Sequence, residues 1–326
     1  DNEIPVIPGY IGLIKDLEMA RKVSEDIGYP VILKASSGGG GKGMRIINNA
    51  KNLETSFPAA QSEALASFND DSIYIEKYVS NPRHIEVQIL GDKEGNVVAL
   101  GERDCTIQRR YQKLIEESPS PVVDQEIREK LSQTAVQAAK SVNYIGAGTV
   151  EFLLDSNNDY YFMEMNTRIQ VEHPVTEMVL GIDLIKYQLL CHIGLPLPLW
   201  MKSFKMRGHS IECRINAEDP LNNFMPSPGI ITSFHKPGGM GIRADTHVYA
   251  GYTVPPYYDS MIVKLIVHAN NRNEAINKML GALSELVVEG IKTTIPFQIK
   301  ILSDSKFKSG NFSTSFLENF KYEYPE

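Results

Sequence analysis

Nowhere in this 326-residue sequence does an unbroken apolar run approach the roughly 20 residues that a membrane-spanning helix needs. The N-terminus also lacks the basic-then-apolar pattern of a secretory leader. Cysteine is scarce. Cys105, Cys191 and Cys213 stand far apart, odd in number and outside any CxxC spacing, which excludes a disulfide framework and a clustered thiolate metal site. Buried free thiols in a reducing compartment are expected. Concentrated positive charge is missing too: a net charge of −7, spread along the sequence, speaks against nucleic acid as a partner. These absences lead to the expectation of a soluble protein, with no membrane partner, in the cytoplasm or an organelle stroma or matrix. There is no opening methionine before Asp1-Asn-Glu-Ile-Pro5, so a fragment of a longer chain is expected.

What is present is 42% apolar residues, enough for a sizeable core in two or three compact units. Helical spacing from Glu18 to Ile27 closes at Gly28 and hands over to a short strand, Pro30 to Lys34. A glycine run, Ala35-Ser-Ser-Gly-Gly-Gly-Gly-Lys-Gly-Met-Arg45, follows. It satisfies GxGxxG literally, but Met44-Arg-Ile-Ile47 reads as a strand, whereas a dinucleotide fingerprint opens a helix. A Walker loop is excluded as well, because Ser36 replaces the first required glycine and Gly43 stands where Ser or Thr belongs. Between two strands the run predicts a flexible flap. Its backbone N–H groups can close over phosphates, with Lys34 and Lys42 adding charge; a mobile surface turn is the other reading.

Further on, Pro58 interrupts a helical pattern from Asn52 to Phe68. Strands are predicted at 73–79, 83–90 and 97–100, forming a sheet that leads from Glu76 towards the carboxylates described next. The charged stretch from Glu102 to Lys113 reads as a solvated loop when taken without its neighbours. Asp124 caps an amphipathic helix reaching Val142, Asp183 to Ile193 is a second, and Leu195-Pro-Leu-Pro198 is a linker candidate. In the strand 208–216, Arg214 sits among apolar neighbours, which predicts an ion pair with Glu212 or Asp219. A strand at 261–267 and a helix capped by Asn273 follow, and the stretch from Ser303 is polar and expected at the periphery.

The sequence centres on Thr149 to Asp155, a polar turn, and Tyr160 to Asn166, which reads as a hairpin. Pairing Asp155 with Tyr160 would set Glu151 directly opposite Glu164, two carboxylates that need a cation or a shared proton between them. Asn166 adds an oxygen on the same face, and oxygen-only donors suit Mg²⁺ or Mn²⁺. An exposed hairpin with two glutamates is the alternative. Arg168, Gln170, Glu172 and His173 then follow in a loop that ends at Pro174. A guanidinium, an amide and a carboxylate at the end of a metal-holding strand suit phosphoryl transfer to a small anion.

Several stretches together carry a family resemblance. They are Lys34-Ala-Ser to Gly43-Met-Arg45, Glu76-Lys-Tyr78, Asn81-Pro-Arg-His84, Glu102-Arg-Asp-Cys105, Gln108-Arg-Arg110, Glu164 to Glu177, Glu212-Cys-Arg-Ile-Asn-Ala-Glu-Asp219 and Gly251 to Ser260. With these the chain resembles the biotin carboxylases, an ATP-grasp family, over nearly its whole length. The resemblance implies an α+β fold: a mobile glycine-flap lid (1–78) and an antiparallel-sheet catalytic core (79–205), both ATP-grasp, followed by a biotin carboxylase C-terminal subdomain (206–326). It implies that Lys34, Gly40, Gly41 and His84 contact ATP, that Glu76, Lys77 and Val79 line the adenine pocket, and that Glu151, Glu164 and Asn166 hold the metal. Tyr111 stands where many members have an ATP-site histidine. By the same resemblance Lys113, Arg168 and Val171 hold bicarbonate, with Gln170 among the substrate-binding residues. Glu172 is the general base, Arg214 receives biotin and Arg168 stabilises its enolate. The implied partners are a biotin carboxyl carrier protein or domain and a carboxyltransferase component, with a homodimer at full length. The family's preceding α/β domain, with a further ATP-binding lysine, is absent from this sequence. Two other classes stay open: another ATP-grasp ligase of the carbamoyl-phosphate synthase kind, and a non-catalytic nucleotide-binding or carrier-docking module.

Overall fold

The computed structural model describes residues 4–37 and 44–322, which fall into two compact units. The glycines of the predicted flap, including Gly40 and Gly41, and Lys42 lie outside the described residues.

The first unit comprises residues 5–82 and 155–163. Helix α1 (Leu17–Ile27) starts where Asp16 accepts a hydrogen bond from the Met19 N–H and stops at Gly28, whose φ of 79° suits glycine. Strands β1 (Val31–Ala35), β2 (Met44–Ile47) and β3 (Ile73–Lys77) form an antiparallel sheet in the order β2-β1-β3. Glu76 therefore belongs to a three-stranded sheet, and the described strands do not form the single sheet expected to run from it to the carboxylates. Helix α2 (Ala50–Phe68) is continuous through Pro58. Leu53, Phe57, Ala60 and Ala64 bury one stripe of it, and that tertiary burial outweighs the backbone hydrogen bond the proline removes.

The second unit holds the rest of the described chain around an eight-stranded sheet. The strands of this sheet are β4 (Arg83–Gly91), β5 (Val97–Arg109), β6 (Gln112–Ser118), β7 (Gly146–Leu154), β8 (Tyr160–Asn166), β9 (His209–Asn216), β10 (Ile242–Thr246) and β11 (Met261–Ala269), residues 160–163 of β8 being counted with the first unit. They lie in the order β10-β11-β9-β6-β5-β4-β7-β8. Strict alternation sends Ile85, Val87 and Ile89 of β4 to one face, where α3 (Gln125–Ser141) packs, and His84, Glu86 and Gln88 to the other. All six are buried, so this strand has a polar side that is covered rather than solvated. Helix α4 (His173–Leu180) packs against β5, β6, β9 and β11.

The charged stretch 102–113 is not a solvated loop. It is most of a hairpin in the middle of the sheet, with Glu102, Arg103 and Asp104 all buried, and their ion pairs with Arg128, Glu86 and Arg83 respectively replace water. Pairing of β6 with β9, from Ile115↔Cys213 to Ser118↔Ser210, joins the two parts of the sheet. Helix α5 (Leu184–His192) begins at Asp183 as expected. The cap of α6 (Arg272–Glu285) is Asn271 rather than Asn273, its side chain accepting from the Glu274 N–H. The last stretch is not peripheral either: after α7 (Ile295–Ser303), Phe307 and Phe312 stack in the core, with Arg272 over the Phe307 ring.

Candidate active site

The covered polar face brings together residues from β4, β6, β7, β9 and the loop before α4. Glu86 on β4 lies directly across from Glu151 on β7. The ammonium of Lys113 stands between the two carboxylates, donating to Glu86 Oε2 at 2.6 Å and to Glu151 Oε1 at 2.9 Å. It also donates to Glu172 Oε1 at 2.6 Å. Burial by itself would lower the Lys113 pKa, but the surrounding carboxylates hold it well above the ordinary lysine value. Burial likewise pushes Glu151 up, and it is overcome by His84, whose Nε2 donates at 3.0 Å, and by Lys113, so its carboxyl lies well below the usual range.

Arg103 on β5 organises the floor of this cluster. Its Nε donates to Glu86, its Nη1 to Gln88 Oε1 and Thr176 Oγ1, and its Nη2 to Thr149 Oγ1 and Gln170 Oε1. A fully buried guanidinium is stable only when its donors are used in this way. Gln170 passes the order on, since its Nε2 donates to Glu151 Oε1 at 2.9 Å. The loop carrying Gln170 and Glu172 is tied down further by Lys264 of β11, which donates to the Val171 carbonyl at 3.0 Å.

Arg214 has different partners from those expected. Its Nε donates to Glu116 Oε1 at 2.5 Å and its Nη2 to Glu172 Oε2 at 2.9 Å, and neither Glu212 nor Asp219 bonds to it. The side chain crosses to β6 and to the loop because those carboxylates are spatial neighbours, which spacing along a single strand does not reveal. Glu172 thus bridges two cations, Lys113 on one oxygen and Arg214 on the other.

The hairpin count also needs correction. The Asp155 N–H bonds to the Asp159 carbonyl at 2.9 Å, and Asn158 takes a left-handed φ of 67°, the signature of a three-residue loop with a bulge. Asp155 therefore pairs with Asp159 and not with Tyr160, so the count that set Glu164 directly opposite Glu151 loses its starting point. Glu164 is exposed, and its Oε1 meets Asn166 Nδ2 at 3.4 Å. Glu151, Glu164 and Asn166 all offer oxygen donors, the donor chemistry that suits Mg²⁺ or Mn²⁺; the Glu164 carboxylate is exposed, while both Glu151 oxygens are held by His84, Lys113 and Gln170.

Other expected site residues have other partners. Arg168 is exposed and donates to the Ile169 carbonyl at 3.3 Å. Tyr111 is 62% exposed at the tip of the β5–β6 hairpin, where Arg110 and Tyr111 both have positive φ. In the first unit Lys34 pairs with Glu76 at 2.5 Å, Lys77 Nζ donates to the Gly28 and Tyr29 carbonyls, and Val79 is half-buried. Sequence reasoning gave no role to Glu86, Arg103 or Glu116. The signal for them was charge embedded in strand-forming sequence, alternating with an apolar residue in His84-Ile-Glu86 and following two in Leu114-Ile-Glu116.

Comparison with known proteins agrees with this geometry. Residues 1–200 match the family model for the carbamoyl-phosphate synthase L chain ATP-binding domain, and residues 212–319 match that for the biotin carboxylase C-terminal domain. Biotin carboxylase 1 of Bacillus subtilis is 55% identical over 97% of this chain and 71% of its own. The biotin carboxylase of Haemophilus influenzae is 50% identical over 97% of this chain and 70% of its own. Among solved structures, the Campylobacter jejuni biotin carboxylase in a β,γ-ATP complex superposes with a TM-score of 0.93 at 52% identity, covering 98% of this chain and 71% of that one. The biotin carboxylase domain dimer of Hydrogenobacter thermophilus 2-oxoglutarate carboxylase, solved with MgADP and bicarbonate, gives 0.93 at 48% identity, covering 99% and 72%. With an ATP-grasp fold, a matching C-terminal domain and relatives this similar across almost its full length, the chain belongs to the biotin carboxylase family.

Proposed function

We infer that the chain carboxylates biotin with bicarbonate at the expense of ATP, as the first half-reaction of a biotin-dependent carboxylase. One observation carries the assignment of residues: Glu172 held between Lys113 and Arg214. A bicarbonate ion arriving at Lys113 replaces one of its carboxylate partners, anion for anion, and frees an oxygen of Glu172 to take the bicarbonate proton. The resulting oxyanion attacks the γ-phosphate of ATP, and ADP leaves carboxyphosphate behind. Carboxyphosphate breaks down to CO₂ and phosphate, the phosphate takes the N1′ proton of biotin, and the biotin enolate attacks CO₂. Arg214 receives the ureido group of biotin, and Arg168, placed in solvent here, stabilises the enolate once substrate draws it in. Val171 and Gln170 complete the bicarbonate site.

Lys34, His84, Gly40 and Gly41 are assigned to the ATP phosphates, and Glu76, Lys77 and Val79 to adenine. Tyr111 is assigned to ATP as well. Glu151, Glu164 and Asn166 would hold Mg²⁺, which supplies Lewis-acid neutralisation of phosphate charge. The family implies a biotin carrier and a carboxyltransferase component, and we propose a homodimer for the full-length protein. No helix among the described residues is long and apolar enough to cross a membrane. Cytoplasm or organelle stroma is the proposed location, in line with bacterial and chloroplastic relatives.

ATP hydrolysis measured with bicarbonate, with and without free biotin, tests the reading. Stimulation by biotin is expected. Bicarbonate-dependent hydrolysis indifferent to biotin would point to a carbamoyl-phosphate-type ligase, and no hydrolysis to a non-catalytic module.

A further inference from the structure

Behind Arg214 lies a second pair of opposed carboxyl groups. Glu116 on β6 and Glu212 on β9 are direct cross-strand partners, and both are fully buried. Glu116 accepts from Arg214 on Oε1, while its Oε2 and both oxygens of Glu212 have no hydrogen-bond partner among the described residues. Two buried, opposed carboxylates cannot both stay ionised beside a single guanidinium that is also shared with Glu172. The other charged groups facing them do not remove the conflict. Lys113, on the strand of Glu116, is committed to Glu86, Glu151 and Glu172. Lys264 on β11 is the remaining cation near Glu212, and its ammonium is spent on the Val171 carbonyl and Asp245. Cys105 and Cys213, the nearby thiols, are held protonated by burial.

We propose that Glu116 is a positioning residue for Arg214 and shares one proton with Glu212, so that Arg214 meets Glu172 and biotin anchored by a single negative charge. This rests on the biotin carboxylase reading above. Burial, countered by Arg214, pushes Glu116 up to about 7, and burial together with Glu116 pushes Glu212 well above the carboxylate range. Glu212 is then the neutral member, and Glu116 loses its grip on Arg214 as it too becomes protonated in mild acid.

The test is the pH profile of biotin-stimulated ATP hydrolysis in the parent and in Glu116→Gln. In the parent, KM for biotin should climb as pH falls below about 7, the value at which Glu116 titrates. In Glu116→Gln, KM for biotin should be raised about tenfold more than KM for ATP, the cost of one charge-assisted hydrogen bond, and its acid limb should flatten. Glu116→Asp should restore part of both. A parent with biotin stimulation and a Glu116→Gln variant with the same biotin KM and pH profile would overturn the proposal. A parent without biotin stimulation would overturn the functional reading instead. Should Glu116→Gln not fold, infrared spectroscopy decides: a protonated-carboxyl carbonyl band at mildly alkaline pH should be present in the parent and lost in Glu212→Gln. No difference between those spectra would overturn the shared proton.

Discussion

Glu86 and Glu151 face each other on neighbouring buried strands, and one ammonium, that of Lys113, lies 2.6 Å from the first and 2.9 Å from the second. The pair stores repulsion that Lys113 cancels. Lys113→Met should therefore cost about 3–5 kcal/mol of stability, as expected when one partner of a buried ionic cluster is removed. Adding Glu86→Gln to it should return part of that loss. Denaturant unfolding of the single and double variants checks both, and strict additivity would show that the charges are not coupled.

Glu164 behaves in the opposite way, because it is exposed and bonded here only weakly, to Asn166. Glu164→Gln should leave the stability of the nucleotide-free protein within about 0.5 kcal/mol of the parent. The thermal shift on adding MgATP should shrink, and MgATP-dependent turnover should fall by several orders of magnitude. A destabilised variant that keeps its turnover would make Glu164 structural.

Much of the fold could be read from the sequence because single elements announce themselves locally. Asp124 and Asp183 do cap their helices, and alternation in 83–90 did mark a strand. The site was legible in its residue types and less so in its pairings. Opposed carboxylates needing a cation were anticipated at Glu151 and Glu164; the opposition on the other side of β7, where Glu151 faces Glu86, a strand-order neighbour 65 residues earlier in the chain, was not. Which strand lies beside which is a property of the whole sheet. Arg214 shows the same limit: the need for a carboxylate was visible, but Glu116 and Glu172 come to it through folding.

A pH prediction follows from Glu117 on β6. Burial raises its pKa, and His209 at 2.7 Å with Arg272 at 2.6 Å overcomes this, bringing it from 4.5 to about 2. A carboxyl with a depressed folded pKa adds stability that is present above its unfolded pKa and lost as pH falls through the folded one. The difference is worth about 3 kcal/mol at neutral pH. Glu117→Gln should be less stable than the parent by that order at neutral pH, and the gap should close as pH falls from 4.5 towards 2. A gap independent of pH would show that packing, and not charge, is what Glu117 provides.

Arg214 serves Glu116 through Nε and Glu172 through Nη2, a division of labour that a lysine's single nitrogen cannot reproduce. Hydrogen bonds to charged groups are worth about 1.5–3 kcal/mol, so Arg214→Lys should lower biotin-dependent turnover by roughly 10- to 150-fold. Slow ATP hydrolysis without biotin should be much less affected. Equal loss of both activities in a folded variant would return Arg214 to a structural ion pair.

The central claim is that Glu172, clasped by Lys113 and Arg214, takes the proton of bicarbonate. Fixation of labelled bicarbonate onto free biotin, with MgATP, tests this most directly when the parent and Glu172→Gln are compared at equal thermal stabilisation by MgATP. ATP-dependent labelled carboxybiotin is expected from the parent and none above background from Glu172→Gln. Carboxybiotin formed by Glu172→Gln at the parent's rate would contradict it.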